Sequence, residues 1–155
     1  MVFLLLLGFG WGKPVKFDPY NLKDPRRDAA WISIAGPSSN FILAIILTLL
    51  LKLFIFLQLN FLIIIGSFIL IPMIRMNIML GVFNLLPIHP MDGFKIVEGI
   101  LPVEKAEEWA SLQRYGMIFL MLLILPIFGG RSMLDNFLTP AVSFLFNLLV
   151  PGGII

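Results

Sequence analysis

The sequence predicts an all-α fold, a polytopic bundle of membrane helices. Of its 155 residues, 59% are apolar and only 13% are charged, and the mean hydropathy is +1.01. Soluble domains average about 45–50% apolar and about 25% charged residues. Long apolar runs also separate the clusters of ionisable residues. These observations exclude a water-soluble globular protein, and we expect one integral membrane domain over residues 1–155, with the lipid bilayer as its surroundings.

Apolar segments define the expected spans, which cover residues 1–11 in part, 31–52, 59–88, 115–130 and 136–155. The second segment holds 21 uncharged residues before Lys52, enough to cross a hydrocarbon core of ~30 Å at 1.5 Å per residue. The third is expected to return as one long helix with a kink at Pro72, because proline lacks a backbone donor. Pro126 interrupts the fourth segment, so the last two are a span and a partly inserted arm.

Basic residues predict the orientation of the spans. Lys and Arg are enriched in cytoplasmic loops, and here they concentrate in the segments 13–30 and 94–114. We therefore expect both segments to be cytoplasmic loops. The net charge is only +2 and is spread over several loops, which argues against binding to nucleic acid.

A proline-rich segment at the end of the returning helix is the strongest candidate for a functional site. Pro87 and Pro90 cannot continue a helix, so the helix is expected to break before Asp92 and Gly93. Broken backbone at membrane depth persists where protein or a water-lined cavity satisfies it. Two interpretations follow: an internal site containing the Asp92 carboxylate, or a turn at the membrane surface with Asp92 exposed.

A second motif, early in the first full span, contains Gly36, Pro37 and Asn40. Its small residues allow close approach between helices in lipid. We expect this motif to serve packing and not catalysis.

The chain resembles the site-2 proteases, intramembrane zinc metalloproteases, and in particular their compact prokaryotic branch. Three segments carry the resemblance, in the order found in that family: Gly10-Trp11-Gly12-Lys13-Pro14-Val15, then Asp24-Pro25-Arg26-Arg27 leading to Ala35-Gly36-Pro37-x-x-Asn40, then Asn84-x-x-Pro87-x-x-Pro90-x-Asp92-Gly93. The resemblance implies that Asp92 is the third zinc ligand and that Asn84 supports the substrate or its oxyanion. It also implies a transmembrane peptide as substrate and the cell membrane of a prokaryote as location.

The zinc site that this family uses is incomplete in the chain. Members carry His-Glu-x-x-His, with two histidine ligands and a glutamate as general base, whereas this sequence has one histidine, His89, and no such motif. We do not expect His89 to be a ligand. Zinc is therefore expected only if the missing histidines come from upstream or from another chain.

Three hypotheses remain. The first is the C-terminal portion of a site-2-type protease, from a fragment or a misplaced start codon. The second is a catalytically inactive membrane homologue with a binding or regulatory role. The third and weakest is a small transporter or channel subunit, which only the broken helix suggests.

Two further features have structural explanations. Arg75 lies inside the returning helix and must face protein, face water or extend toward the membrane surface, the last being the simplest expectation. Glu104, Glu107 and Glu108 are expected to form a solvated face.

Overall fold

The computed structural model describes residues 24–126 and 132–150, and this part of the chain forms six α-helices and no β-strand. The helices are α1 (Pro25–Phe56), α2 (Asn60–Asn84), α3 (Asp92–Ile100), α4 (Val103–Ser111), α5 (Gln113–Ile124) and α6 (Met133–Leu149). The predicted all-α membrane bundle is confirmed. The predicted partial span 1–11 and the motif Gly10 to Val15 lie outside the described residues.

Helix α1 is longer than its apolar sequence predicted. Asp24 caps its N-terminus by accepting a hydrogen bond from the Arg27 backbone N–H at 3.2 Å, and Pro25 occupies the first helical position. The helix has 32 residues and a length of about 48 Å. Residues 25–30, predicted as part of a loop, therefore form its first turns. Charged residues at a helix end lie outside hydrocarbon but remain helical, which hydropathy alone does not show.

A tight turn connects α1 to α2. Gln58 adopts the left-handed conformation, with φ of 54°, and reverses the chain within three residues. Helix α2 then continues through Pro72 and ends at Asn84, four residues before the predicted end at residue 88. The helix ends there because Pro87 cannot extend it.

The predicted break at the Asp-Gly motif is present. Residues 85–91 contain turns and bends, and α3 begins at Asp92. The segment 94–114, predicted as a loop, consists mainly of the short helices α3 and α4. Each of these helices has one apolar face, with apolar residues repeating at the helical period. The three glutamates Glu104, Glu107 and Glu108 are exposed on α4, as expected.

The last two helices are shorter than the first two. Helix α5 has 12 residues and a length of about 18 Å, less than the ~30 Å of a hydrocarbon core. Helix α6 has 17 residues. The predicted spans 115–130 and 136–155 each extend beyond the described residues.

The buried core lies between α1, α2 and α6, in a cluster formed by Ala44, Leu47, Leu51, Leu70, Ile74, Ile78, Phe146 and Val150. Most other large apolar side chains are exposed; Phe68, for example, is 84% exposed. In the most apolar window of α1 and of α2, only 22% of the residues are buried. Both helices are long and apolar enough to cross a membrane. Lipid is the solvent that such an exposed apolar surface requires.

Candidate functional site

The structure brings two motifs of the sequence into contact at Asp92. This residue is the first of α3, and its half-buried side chain lies against Gly36 of α1. A Cβ atom added to Gly36 would lie 2.7 Å from Asp92 Oδ2 and 3.7 Å from its Cγ. A larger residue at position 36 would therefore require the Asp92 carboxylate to shift. The small-residue motif thus lies next to the candidate ligand Asp92.

Gly93 allows a second close approach at the same place. A Cβ atom at this position would overlap the carbonyl oxygens of Leu85 and Leu86. The segment that leaves α2 thus folds back onto the start of α3 at main-chain distance. This arrangement sets where the Asp92 side chain can lie.

Burial and nearby charge shift the pKa of Asp92 in opposite directions. Removal from solvent raises the pKa of the Asp92 carboxyl group above its ordinary value, and the positive charge of Lys95 partly offsets this. Among residues 24–126 and 132–150, no donor forms a hydrogen bond with the Asp92 carboxylate, and no basic side chain forms an ion pair with it. The start of α3 adds a favourable dipole for the ionised form.

The two asparagines of the motifs lie on the helices that flank this contact. Asn84 is the last residue of α2, and Asn40 is one turn beyond Gly36 in α1; both are half-buried. Between them, Gly81 of α2 approaches Phe41 of α1, where a Cβ atom would lie 2.8 Å from the ring. The role predicted for Asn84 and the packing role predicted for Asn40 stay predictions.

Arg26 holds α3 in place, which the sequence did not reveal. Its guanidinium donates a hydrogen bond to the Leu101 carbonyl oxygen at 2.6 Å and approaches that of Glu98 at 3.5 Å. These carbonyls end α3 and have no intrahelical partner. Arg26 lies in one of the three segments that carry the family resemblance. No local sequence pattern indicates its hydrogen-bond partner, however, because Leu101 is 75 residues away.

His89 lies in an aromatic cluster on the side of α4 and α5. Its ring meets Phe94 edge to face, with centroids 5.7 Å apart, and Phe94 stacks on Trp109. Trp109 Nε1 donates to the Phe94 carbonyl oxygen at 3.0 Å. These residues and Gly116 line a cavity of about 210 Å³. Burial lowers the pKa of His89, and Lys95 lowers it further.

The described residues do not form a complete metal site by themselves. No group of three His, Asp or Glu residues that could hold a metal ion occurs among them. Pro87 and Pro90 lie in the non-helical segment beside Asp92, while Pro37 is buried inside α1. The arrangement therefore offers a half-buried carboxylate next to irregular backbone.

Comparison with known proteins relates the chain to one family. The family model described as Peptidase family M50 matches residues 59–125, which include Asp92. A protein of Bacillus subtilis (strain 168) named "Putative zinc metalloprotease YwhC" is 36% identical over 131 residues, covering 81% of this chain and 59% of that protein. The chain thus spans less than two thirds of the relative's length, and no solved structure matches it. The family-model match and this relative together support membership of peptidase family M50, the site-2 protease family.

Proposed function

We propose that this chain is the part of a site-2-type zinc metalloprotease that supplies the third metal ligand. The proposal rests on the position of the Asp92 carboxylate, which is half-buried at the start of α3 and lies close to the α1 backbone at Gly36. A carboxylate held this way, without a hydrogen-bond donor among the described residues, is a suitable oxygen ligand for zinc.

The chain would supply one of the three protein ligands that such a site needs. Catalytic zinc takes three protein ligands and leaves one position open, and the single histidine of this chain cannot provide the other two. When bound, zinc would polarise the peptide carbonyl and activate water. The two histidines and the general-base glutamate would come from an upstream segment or another chain.

Residues of this chain would position the substrate peptide. Asn84 ends α2 immediately before the irregular segment 85–91, and its side-chain amide can donate to a carbonyl oxygen or to the charge that develops on it. Cleavage needs a peptide in an extended conformation. The irregular segment 85–91 interrupts the surrounding helices and is therefore the place where we propose that such a peptide binds. A transmembrane peptide in the cell membrane is the substrate class that this arrangement favours.

The first test is the upstream nucleotide sequence, followed by the zinc content of the complete gene product. We expect a reading frame ahead of Met1 that encodes His-Glu-x-x-His. The complete protein should then contain stoichiometric zinc and cleave a membrane peptide. Asp92→Ala should abolish both, whereas Glu104→Ala, which removes an exposed carboxylate on α4, should leave zinc unchanged.

A second candidate function is a catalytically inactive membrane homologue with a binding or regulatory role. The single histidine of the sequence favours it. This alternative predicts no stoichiometric zinc in the complete protein and no cleavage of a membrane peptide. An upstream frame without the two-histidine motif, together with absence of zinc, would replace the first proposal with the second.

A further inference from the structure

A polar cavity lies between α2 and α6, away from the Asp-Gly motif. Arg75 stands nine residues before the end of α2, about 14 Å along its axis. Its side chain packs over the ring of Phe146 in α6, with Cζ 4.5 Å from the ring centroid. Arg75 therefore faces protein, whereas the sequence had favoured extension toward the membrane surface.

The cavity has a volume of about 170 Å³ and is lined by Arg75, Met79, Asp135, Leu138, Thr139, Val142, Ser143 and Phe146. Three polar members, Asp135, Thr139 and Ser143, follow one another at intervals of four residues. They therefore form one stripe along α6 that faces the Arg75 guanidinium. The polar groups of two helices meet across this space.

Direct contacts do not satisfy these groups. Among residues 24–126 and 132–150, no ion pair joins Arg75 to Asp135, and the Thr139 and Ser143 hydroxyls form no hydrogen bond. A charged side chain inside a membrane costs ~2.5–3.5 kcal/mol on insertion scales. The four polar side chains are all exposed, so the cavity is open on one side. A second polar component that enters the cavity would offset this cost.

We propose that this cavity is a hydrated intramembrane site, in which water bridges the Arg75 guanidinium and the Asp135 carboxylate. A space of this volume accommodates several water molecules, and its lining offers the two to four polar partners that each requires. The Thr139 and Ser143 hydroxyls complete the lining. This inference does not depend on protease activity, since none of its residues belongs to the Asp92 site.

Cysteine labelling of the full chain in phosphatidylethanolamine–phosphatidylglycerol vesicles tests the proposal. The chain has no cysteine, so a single introduced thiol is the only one that reacts. Ser143→Cys places the thiol in the cavity, and Phe144→Cys places it on the adjacent residue, which is 69% exposed and lies outside the cavity lining. With a small charged methanethiosulfonate, we expect Ser143→Cys to react about tenfold faster, because the reactive thiolate forms in water and not in apolar surroundings.

Two further variants keep the test decisive. Thr139→Cys probes the same cavity one turn away and should also react faster than Phe144→Cys. Adding Arg75→Leu to Ser143→Cys should bring the rate down toward that of the control. Equal rates at Ser143, Thr139 and Phe144 would overturn the hydrated site, and an unchanged rate with Arg75→Leu would overturn the role of the guanidinium.

Discussion

Two carboxylates near helix starts, Asp92 and Asp135, stand in contrasting surroundings. Asp92 opens α3 and lies against main chain, with Gly36 on one side and the returning segment 85–91 behind it. Asp135 lies in the first turn of α6, is exposed, and lines a cavity together with Arg75. The first side chain is positioned by steric contact, and the second faces a space with a charge on its other side.

The two side chains differ in the space around them. The contact with Gly36 limits movement of the Asp92 carboxylate toward α1. Preorganisation of this kind is what a metal site needs. The Asp135 side chain has free volume beside it, and its interactions can change with the contents of the cavity.

The largest effect is expected for Gly93→Ala. Its Cβ atom would overlap the carbonyl oxygens of Leu85 and Leu86, which are backbone atoms and cannot turn aside. We expect a loss of more than about 3 kcal/mol, at the upper end for overpacking, measured as a fall in the thermal midpoint and in the yield of folded protein. Gly66→Ala is the control, since its Cβ would meet the movable ring of Phe54 at 3.1 Å. Similar stability of both variants would contradict the prediction.

Arg26→Met should cost about 1.5–3 kcal/mol, the range for a hydrogen bond made by a charged group. The change keeps the apolar stem and removes the bond to the Leu101 carbonyl oxygen at 2.6 Å. Arg27→Met serves as control, because Arg27 makes an exposed ion pair with Asp24 at 3.4 Å, and such pairs contribute about 0–1 kcal/mol. If thermal melting gives the two variants the same loss, Arg26 does not anchor α3.

Gly36→Ala should cost about 1–3 kcal/mol by overpacking against the Asp92 carboxylate. In an Asp92→Ala background the obstructing oxygen is absent, so most of this cost should vanish. The matched control is Gly81→Ala, whose Cβ would lie 2.8 Å from the Phe41 ring; its cost should be the same in both backgrounds. Thermal midpoints of the four combinations give the coupling, and a Gly36→Ala cost that is independent of Asp92 would refute the contact.

The smallest effect is expected at the N-terminus of α6, where Asp135 lies. The Ser132 hydroxyl accepts a hydrogen bond from the Asp135 backbone N–H at 3.0 Å and caps α6. Ser132→Ala should lower stability by about 1 kcal/mol. Ser111→Ala, which removes an exposed hydroxyl bonded to the Glu108 carbonyl oxygen, should stay within about 0.5 kcal/mol. If the thermal midpoint falls equally in both variants, loss of the cap does not explain the lower stability of Ser132→Ala.

Much of the architecture follows from the sequence because its causes are local. Uncharged runs predict α1 and α2, and Pro87 and Pro90 predict the break before Asp92. The end positions differ because hydropathy marks the hydrocarbon boundary, whereas the Asp24 cap and the turn at Gln58 mark the ends of α1. The segment 94–114 was predicted as a polar loop, with a short helix as an alternative around Glu104 to Glu108, because its many charges mask the apolar faces of α3 and α4.

The candidate site could be predicted only in part. The Asp-Gly motif identified Asp92, and the small-residue motif identified Gly36, but their contact joins positions 56 residues apart. The hydrogen bond from Arg26 to Leu101 and the ring stack of Phe94 on Trp109 depend equally on the packing of separate helices. Periodicity describes a single helix and cannot state which faces of two helices meet.

The bond between Arg26 and Leu101 also bears on how the protein comes apart. It ties the first turn of α1 to the residue after α3 and so closes a loop of about 75 residues around α2. The interfaces of α1 with α2 and α3 are the most extensive in the described chain, whereas α4 and α5 meet their neighbours over small areas. Amide hydrogen exchange should therefore be slow and concerted across α1, α2 and α3, with α4 and α5 opening first and separately.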